Sequence, residues 1–171
     1  MLTKTGIEKY FIAEKNESLL FIIIGVAAIV LAIVLFFYLK TTWCKGAAIP
    51  FLIVGLAHLV AGTIVFKRSD RDRIRNVYAF EMNPGELGTR EIPRMEIVNK
   101  NFVIYRYTEI ILLLVGLGLF FYFRLHPDKS FWIGFGVALA IEAAASLSAD
   151  YFAEKRAEIY TLQLKEFVKK K

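Results

Sequence analysis

The sequence predicts an all-α integral membrane protein built as a four-helix bundle. Three observations lead to this fold class. The chain is 57% hydrophobic over 171 residues, its apolar residues fall into four long runs, and its basic residues are concentrated on one side of those runs. A mean hydropathy of +0.50 is too high for a typical water-soluble domain. No repeat, linker or low-complexity stretch divides the sequence, so residues 1–171 are predicted to form a single membrane domain.

Four membrane spans are predicted, at about residues 18–39, 46–66, 104–123 and 130–150. A bilayer core about 30 Å thick needs roughly 20 helical residues, because each residue adds about 1.5 Å. The first, second and fourth apolar runs have this length. The third run has it only if the span begins near Ile104 and includes Arg106 and Glu109. The first span is predicted to be an uncleaved anchor, because acidic residues precede it and no small-residue cleavage site follows it.

The orientation follows from the positions of the basic residues. Eighteen of the 22 lysines and arginines lie before the first span, between the second and third spans, or after the fourth. The positive-inside rule then places both termini and the central segment in the cytoplasm. This predicts a multi-pass protein of a bacterial-type inner (cytoplasmic) membrane. The same distribution explains the pI of about 9.4 by contact with anionic lipid, so no nucleic-acid partner is predicted.

The cytoplasmic segments are predicted to continue the spans as helices, at about residues 67–103 and 151–168, because apolar residues recur in them at helical spacing. Helices 2, 3 and 4 would then form a cytoplasmic stalk. A turn is predicted at residues 83–88, with Thr89 as N-cap of the next helix. The N-terminal segment has Ile7, Tyr10 and Phe11 on one side and is expected to lie along the membrane surface or against the stalk.

Two ionisable residues lie inside predicted spans, His58 in the second and Glu142 in the fourth. Counted from the outer ends of their helices, both lie roughly 17 Å below the outer surface, so they are predicted to meet near mid-bilayer. They would form either an ion pair or a neutral pair with a protonated carboxyl group. One interpretation is that this pair fixes the register of packed helices.

The other interpretation of Glu142 is a proton or cation relay. Ser146 and Asp150 follow it at intervals of four residues, so one face of the fourth helix is polar down to the cytoplasmic surface. Arg106 and Glu109 are predicted to lie at the same level as the end of this face. No polar residue continues the face outward from Glu142, which argues against a complete pore in one chain.

Small residues four apart within the predicted spans are interpreted as helix-packing positions. The predicted set is Gly134, Gly136, Ala138, Ala140, Ala57 and Ala61. The Gly-x-Gly pairs of the third and fourth spans lack the third glycine and the preceding strand of a dinucleotide-binding fingerprint. Because the fourth helix is rich in small residues, it is predicted to lie centrally in the bundle or to form a homo-oligomer contact.

Signatures of catalysis are sparse, so the sequence favours a non-enzymatic protein with no metal and no cofactor. There is no histidine pair at metal-binding spacing, and the single Cys44 excludes an intramolecular disulfide. The acidic residues of the central segment recur every five residues, which distributes them around helices. An enzyme that modifies lipid at the inner surface is a weaker alternative.

Two classes of function remain. The first is an interaction protein, for example an accessory subunit or a toxin-immunity-like protein, that binds a membrane-protein or cytoplasmic partner. The lipid bilayer surrounds its spans in either case. The second is a small oligomeric transporter or channel, coupled to protons or cations, that uses Glu142 and His58. The first class is the primary expectation, because the polar face ends at Glu142 and does not cross the membrane.

Overall fold

The computed structural model describes residues 2–170. In this part of the chain 94% of the residues are helical and there is no strand. Met1 and Lys171, the two ends of the predicted domain, lie outside the described residues. Four long helices follow one another: α1 at Lys4–Ile33, α2 at Thr42–Met82, α3 at Ile92–Phe123 and α4 at Ser130–Lys169. The prediction of an all-α four-helix fold is therefore confirmed.

Short segments begin and end these helices. The Thr3 side chain accepts a hydrogen bond from the Gly6 amide at the start of α1, and Thr41 accepts one from the Cys44 amide at the start of α2. α1 runs on into a π-helical turn, Val34–Leu39, and ends at Lys40, whose φ of 57° is left-handed. A 3-10 turn, Pro127–Lys129, leads into α4.

The connection between α2 and α3 differs in detail from the prediction. α2 ends at Met82, but the next helix begins earlier than expected, with a π-helical turn at Leu87–Glu91. Thr89 lies inside this turn and donates a hydrogen bond from its hydroxyl to the Gly85 carbonyl oxygen, at 3.3 Å. It is therefore not the N-cap of α3. The early start carries Leu87 and Glu91 into the packed core.

Each of the four helices, taken with the π-helical turns that continue α1 and precede α3, contains a segment that is long and apolar enough to cross a membrane. We call the part formed by residues 18–39, 46–66, 104–123 and 130–150 the apolar half, and the rest of the four helices the stalk. The short connections between α1 and α2 and between α3 and α4 form the turn end, opposite the stalk. α1 also reaches into the stalk, so the stalk contains four helices, one more than predicted.

Two helix pairs build the bundle. α1 packs along α2, α3 packs along α4, and contacts between α2 and α4 join the two pairs. α4 is the most buried helix of the apolar half and α3 the least, in agreement with the predicted central position of α4. Glycines allow these approaches, since Gly25 faces Gly55 between α1 and α2, and Gly116 faces Gly136 between α3 and α4.

The larger hydrophobic core lies in the stalk. Tyr10 of α1 stacks on Tyr160 of α4 with ring centroids 4.1 Å apart, and Phe11 contacts the same ring edge-on. Burial raises the pKa of both tyrosines. The N-terminal segment thus lies against the stalk, which is one of the two predicted locations. The buried apolar residues of this core are Leu2, Ile7, Tyr10, Phe11, Ala79, Leu87, Met95, Ala157, Tyr160 and Leu164.

Candidate functional site

Polar side chains form a line within the apolar half. Glu142, Ser146 and Asp150 follow one another on α4, and His58 of α2 and Glu109 of α3 lie beside them. We call these five residues the polar track. Positions four apart on a helix are separated by about 6 Å along its axis, so the three α4 residues share one face. Glu142 and Ser146 are buried, at 5% and 8% exposure.

His58 has a different partner from the predicted one. Its Nε2 atom lies 3.1 Å from the Ser146 hydroxyl oxygen, one helical turn closer to the stalk than Glu142. The ring of Phe21 from α1 contacts the imidazole edge-on, at 5.1 Å between centroids. The Nδ1 atom of His58 is buried without a hydrogen-bond partner. The structure therefore joins α2 to α4 by a histidine–serine hydrogen bond.

Glu142 is buried without a partner. Within residues 2–170 its carboxyl group makes no hydrogen bond and no ion pair, with His58 or any other residue. On the turn side, the next residues are apolar. A buried cluster from α1, α2 and α4 fills the space, and we call it the apolar plug: Ala32, Leu35, Cys44, Ala47, Ala48 and Ala138, with Phe51 against it. Glu142 thus marks the boundary between a polar and an apolar interior.

At the stalk end of the track, the carboxyl groups of Glu109 on α3 and Asp150 on α4 lie close to each other. Two neighbouring carboxyl groups repel each other when both are ionised. The second carboxyl oxygen of Glu109, Oε2, is buried and has no partner. This acid pair joins α3 to α4 at the level where the apolar half meets the stalk.

Ion pairs between helices surround the stalk end of the track. Arg106 of α3 binds Glu154 of α4 at 3.1 Å, and Arg156 of α4 binds Glu17 of α1 through both carboxylate oxygens. Arg106 was predicted to lie at this level, whereas Glu154 was not among the predicted site residues. The interval of four residues from Glu142 through Ser146 and Asp150 continues to Glu154, and this spacing was a usable signal.

The predicted packing residues fall into two groups. Gly134, Gly136, Ala138 and Ala140 are buried on α4. Ala57 and Ala61 are exposed on α2, so these two do not pack against another helix of the chain. α2 instead meets α4 through Gly46, which lies against the backbone of Phe131, while Gly134 lies against the backbone of Trp43. Gly46 could not be recognised from its spacing, because it has no small residue four positions away that pairs with it in the same contact.

No family model, curated protein or solved structure matches the chain. The described residues also bring together no group of three or more histidine, cysteine or acidic side chains that could hold a metal ion. Chemically, the polar track can bind water and exchange protons. Its side chains lie in a line and do not converge on a common centre.

Proposed function

We propose that this chain is a non-enzymatic protein of the inner membrane that acts by binding another protein through its stalk. In this proposal the apolar half spans the bilayer, both termini and the stalk lie in the cytoplasm, and the turn end faces outward. The supporting observation is an apolar stripe on the stalk that neither lipid nor the chain itself covers. The partner is a membrane-protein complex or a cytoplasmic protein, as expected for an accessory subunit or an immunity-like protein.

The stripe lies on the outer face of α2. Ile74, Tyr78 and Met82 follow one another at intervals of four residues and are 66%, 60% and 68% exposed. Ile74 lies eight residues beyond Phe66, the end of the predicted span, and hence about 12 Å beyond it along the helix. Lipid tails do not reach this level. Contiguous apolar surface exposed to water is uncommon in monomeric proteins and marks interaction sites.

The stripe borders a shallow groove that can receive a partner side chain. The groove has a volume of about 350 Å³ and lies between the start of α1 and the stalk part of α2. Its apolar lining is Ile74, Val77 and Tyr78, and its charged rim is Glu8, Arg73 and Glu81. An apolar floor with a charged rim suits the apolar face of an amphipathic helix, whose polar flanks meet the rim.

Site-specific photo-crosslinking tests this proposal. We expect a photoreactive phenylalanine analogue in place of Tyr78 to form a covalent adduct with a partner protein in intact cells. The same analogue at Val60, which is similarly exposed but lies within the predicted span, serves as the matched control and should give no protein adduct. Ile74→Asp should remove the adduct and leave the helix content unchanged, because two thirds of the Ile74 side chain is exposed.

Two outcomes would contradict the proposal. One is the absence of any adduct at position 78 in membranes that contain the protein. The other is an adduct made only with a second copy of the chain, because the stripe would then serve self-association and not an accessory role.

The polar track favours a second candidate function, a small oligomeric transporter or channel coupled to protons or cations. The observation in its favour is Glu142, 5% exposed and without a partner among the described residues, one helical turn from the Ser146–His58 hydrogen bond. The apolar plug closes the turn side of Glu142 within one chain. Transport would therefore need a further path, supplied by an assembly of several chains or by a rearrangement of α1 against α2.

A further inference from the structure

We propose that the polar track is a water-filled half-path, open only at the stalk, through which Glu142 exchanges a proton with the cytoplasm. The inference goes beyond the proposed binding function, since it concerns the apolar half and requires no partner protein. It also differs from transport, because Glu142 would take up and release its proton on the same side of the membrane. Three observations carry it: unpartnered polar atoms, the continuity of the track, and its closed end.

The first observation is a set of buried polar groups without protein partners. His58 Nδ1 and Glu109 Oε2 are buried and have no hydrogen-bond partner. Buried polar groups in proteins are almost always hydrogen-bonded, to water where no protein group is available. Ordered water beside these two atoms would supply the missing partners, and Glu142, which is 5% exposed and has no partner among the described residues, lies at the end of the same line.

The second observation is that the gaps along the track are short. Steps of about 6 Å separate Glu142, Ser146 and Asp150 along the axis of α4. The Ser146 hydroxyl already binds His58, and Asp150 contacts Glu109. A bridging water binds polar atoms about 2.8 Å away on either side, so it spans a step of this size along the helix axis. The track then ends among ion pairs at the stalk.

The third observation is the closed end. One helical turn beyond Glu142, Ala138 is part of the apolar plug, and the backbones of α2 and α4 are in direct contact nearer the turns, at Gly46 and Gly134. No water can pass between helices whose backbones touch. A proton that reaches Glu142 must therefore return toward the stalk.

A proton is the ligand that suits this track best. Calcium takes six to eight oxygen ligands, whereas one carboxyl group, one imidazole and one hydroxyl lie at the closed end. An unpaired carboxylate inside a bilayer is costly, so Glu142 is neutral at rest. The charged groups that face the track are Glu17 on α1, Glu109 and Arg106 on α3, and Asp150, Glu154 and Arg156 on α4, with His58 as the ionisable group on α2.

Cysteine accessibility tests the sidedness of this half-path. In a Cys44→Ser background, we expect Ser146→Cys to react with a small, charged, membrane-impermeant thiol reagent added on the stalk side. The rate should be at least about tenfold higher than that of Ala138→Cys, one turn beyond Glu142, since only thiolates in contact with water react readily. Neither cysteine should react from the turn side. Equal rates at positions 138 and 146, or reaction of Ser146→Cys from the turn side, would overturn the inference.

Infrared spectroscopy on oriented proteoliposomes gives a second readout, independent of reagent size and of cysteine. We expect a protonated-carboxyl band that is missing in Glu142→Gln and that weakens when the pH on the stalk side is raised. A band that responds to the turn side, or to neither side, would overturn the half-path. The photo-crosslink at Tyr78 reports on partner binding alone, so failure of one proposal can be told from failure of the other.

Discussion

Gly134→Ala is expected to destabilise the bundle by about 2–3 kcal/mol, because it forces α2 and α4 apart. A Cβ at Gly134 would overlap the backbone carbonyl oxygen of Trp43, and a backbone atom cannot rotate away as a side chain can. Gly46 faces Phe131 in the same contact, so the two helices have no alternative close approach nearby. The measurement is the free energy of unfolding in detergent, followed by circular dichroism.

Gly118→Ala is the matched control for this prediction. Gly118 lies within the last two turns of α3, and a Cβ there would meet nothing within 4 Å. Alanine also has the higher helix propensity, so this variant should be as stable as the parent or slightly more stable. If Gly134→Ala and Gly118→Ala have the same free energy of unfolding, the backbone contact between α2 and α4 is not present.

Glu91→Ala is expected to destabilise the stalk by about 3 kcal/mol, since it leaves the largely buried Arg94, 19% exposed, without its counter-charge. Glu91 is 1% exposed and accepts two hydrogen bonds from Arg94, one from Nε at 2.9 Å and one from Nη2 at 2.6 Å. The guanidinium also lies over the ring of Phe11 from α1. Burial alone would lower the pKa of Arg94, but the hydrogen bond and charge of Glu91 hold it above its ordinary value.

Glu96→Ala supplies the matched control, since Glu96 forms an ion pair of similar length, 2.6 Å to Lys165, with both side chains about half exposed. Exposed pairs contribute at most about 1 kcal/mol, so this variant should remain close to the parent. The double variant Glu91→Ala with Arg94→Met should recover part of the lost stability, because it removes the uncompensated charge. If thermal melts showed the same loss of stability for Glu91→Ala and Glu96→Ala, the Glu91–Arg94 ion pair would not be buried as described.

The helices and the polar face of α4 could be predicted from the sequence because both are periodic along one chain. Four apolar runs define the four helices, and the interval of four residues places Glu142, Ser146 and Asp150 on one face. The continuation of α1 into the stalk was predictable only in part. Ile7, Tyr10 and Phe11 form an apolar side, but whether it faces lipid or protein depends on the helices beside it.

The partner of His58 could not be derived from depth alone. Counting residues places His58 level with Glu142, but the partner also depends on how α2 is rotated and shifted against α4. The contacts of Gly46 with Phe131 and of Gly134 with Trp43 fix that rotation and shift, and bring Ser146 to His58. The exposure of Ala57 and Ala61 has the same origin, because this rotation turns them away from α4. Contacts between helices distant in sequence determine these features.

The direction in which the chain crosses the membrane is the central claim, and labelling of single cysteines tests it most directly. In the Cys44→Ser background, Lys129→Cys lies in the short connection before α4 and Lys100→Cys lies in the stalk, both at exposed positions. With an impermeant maleimide on intact bacterial cells, we expect labelling of Lys129→Cys at once and of Lys100→Cys only after permeabilisation. Labelling of Lys100→Cys in intact cells would contradict a cytoplasmic stalk, and with it both the proposed partner site and the one-sided path to Glu142.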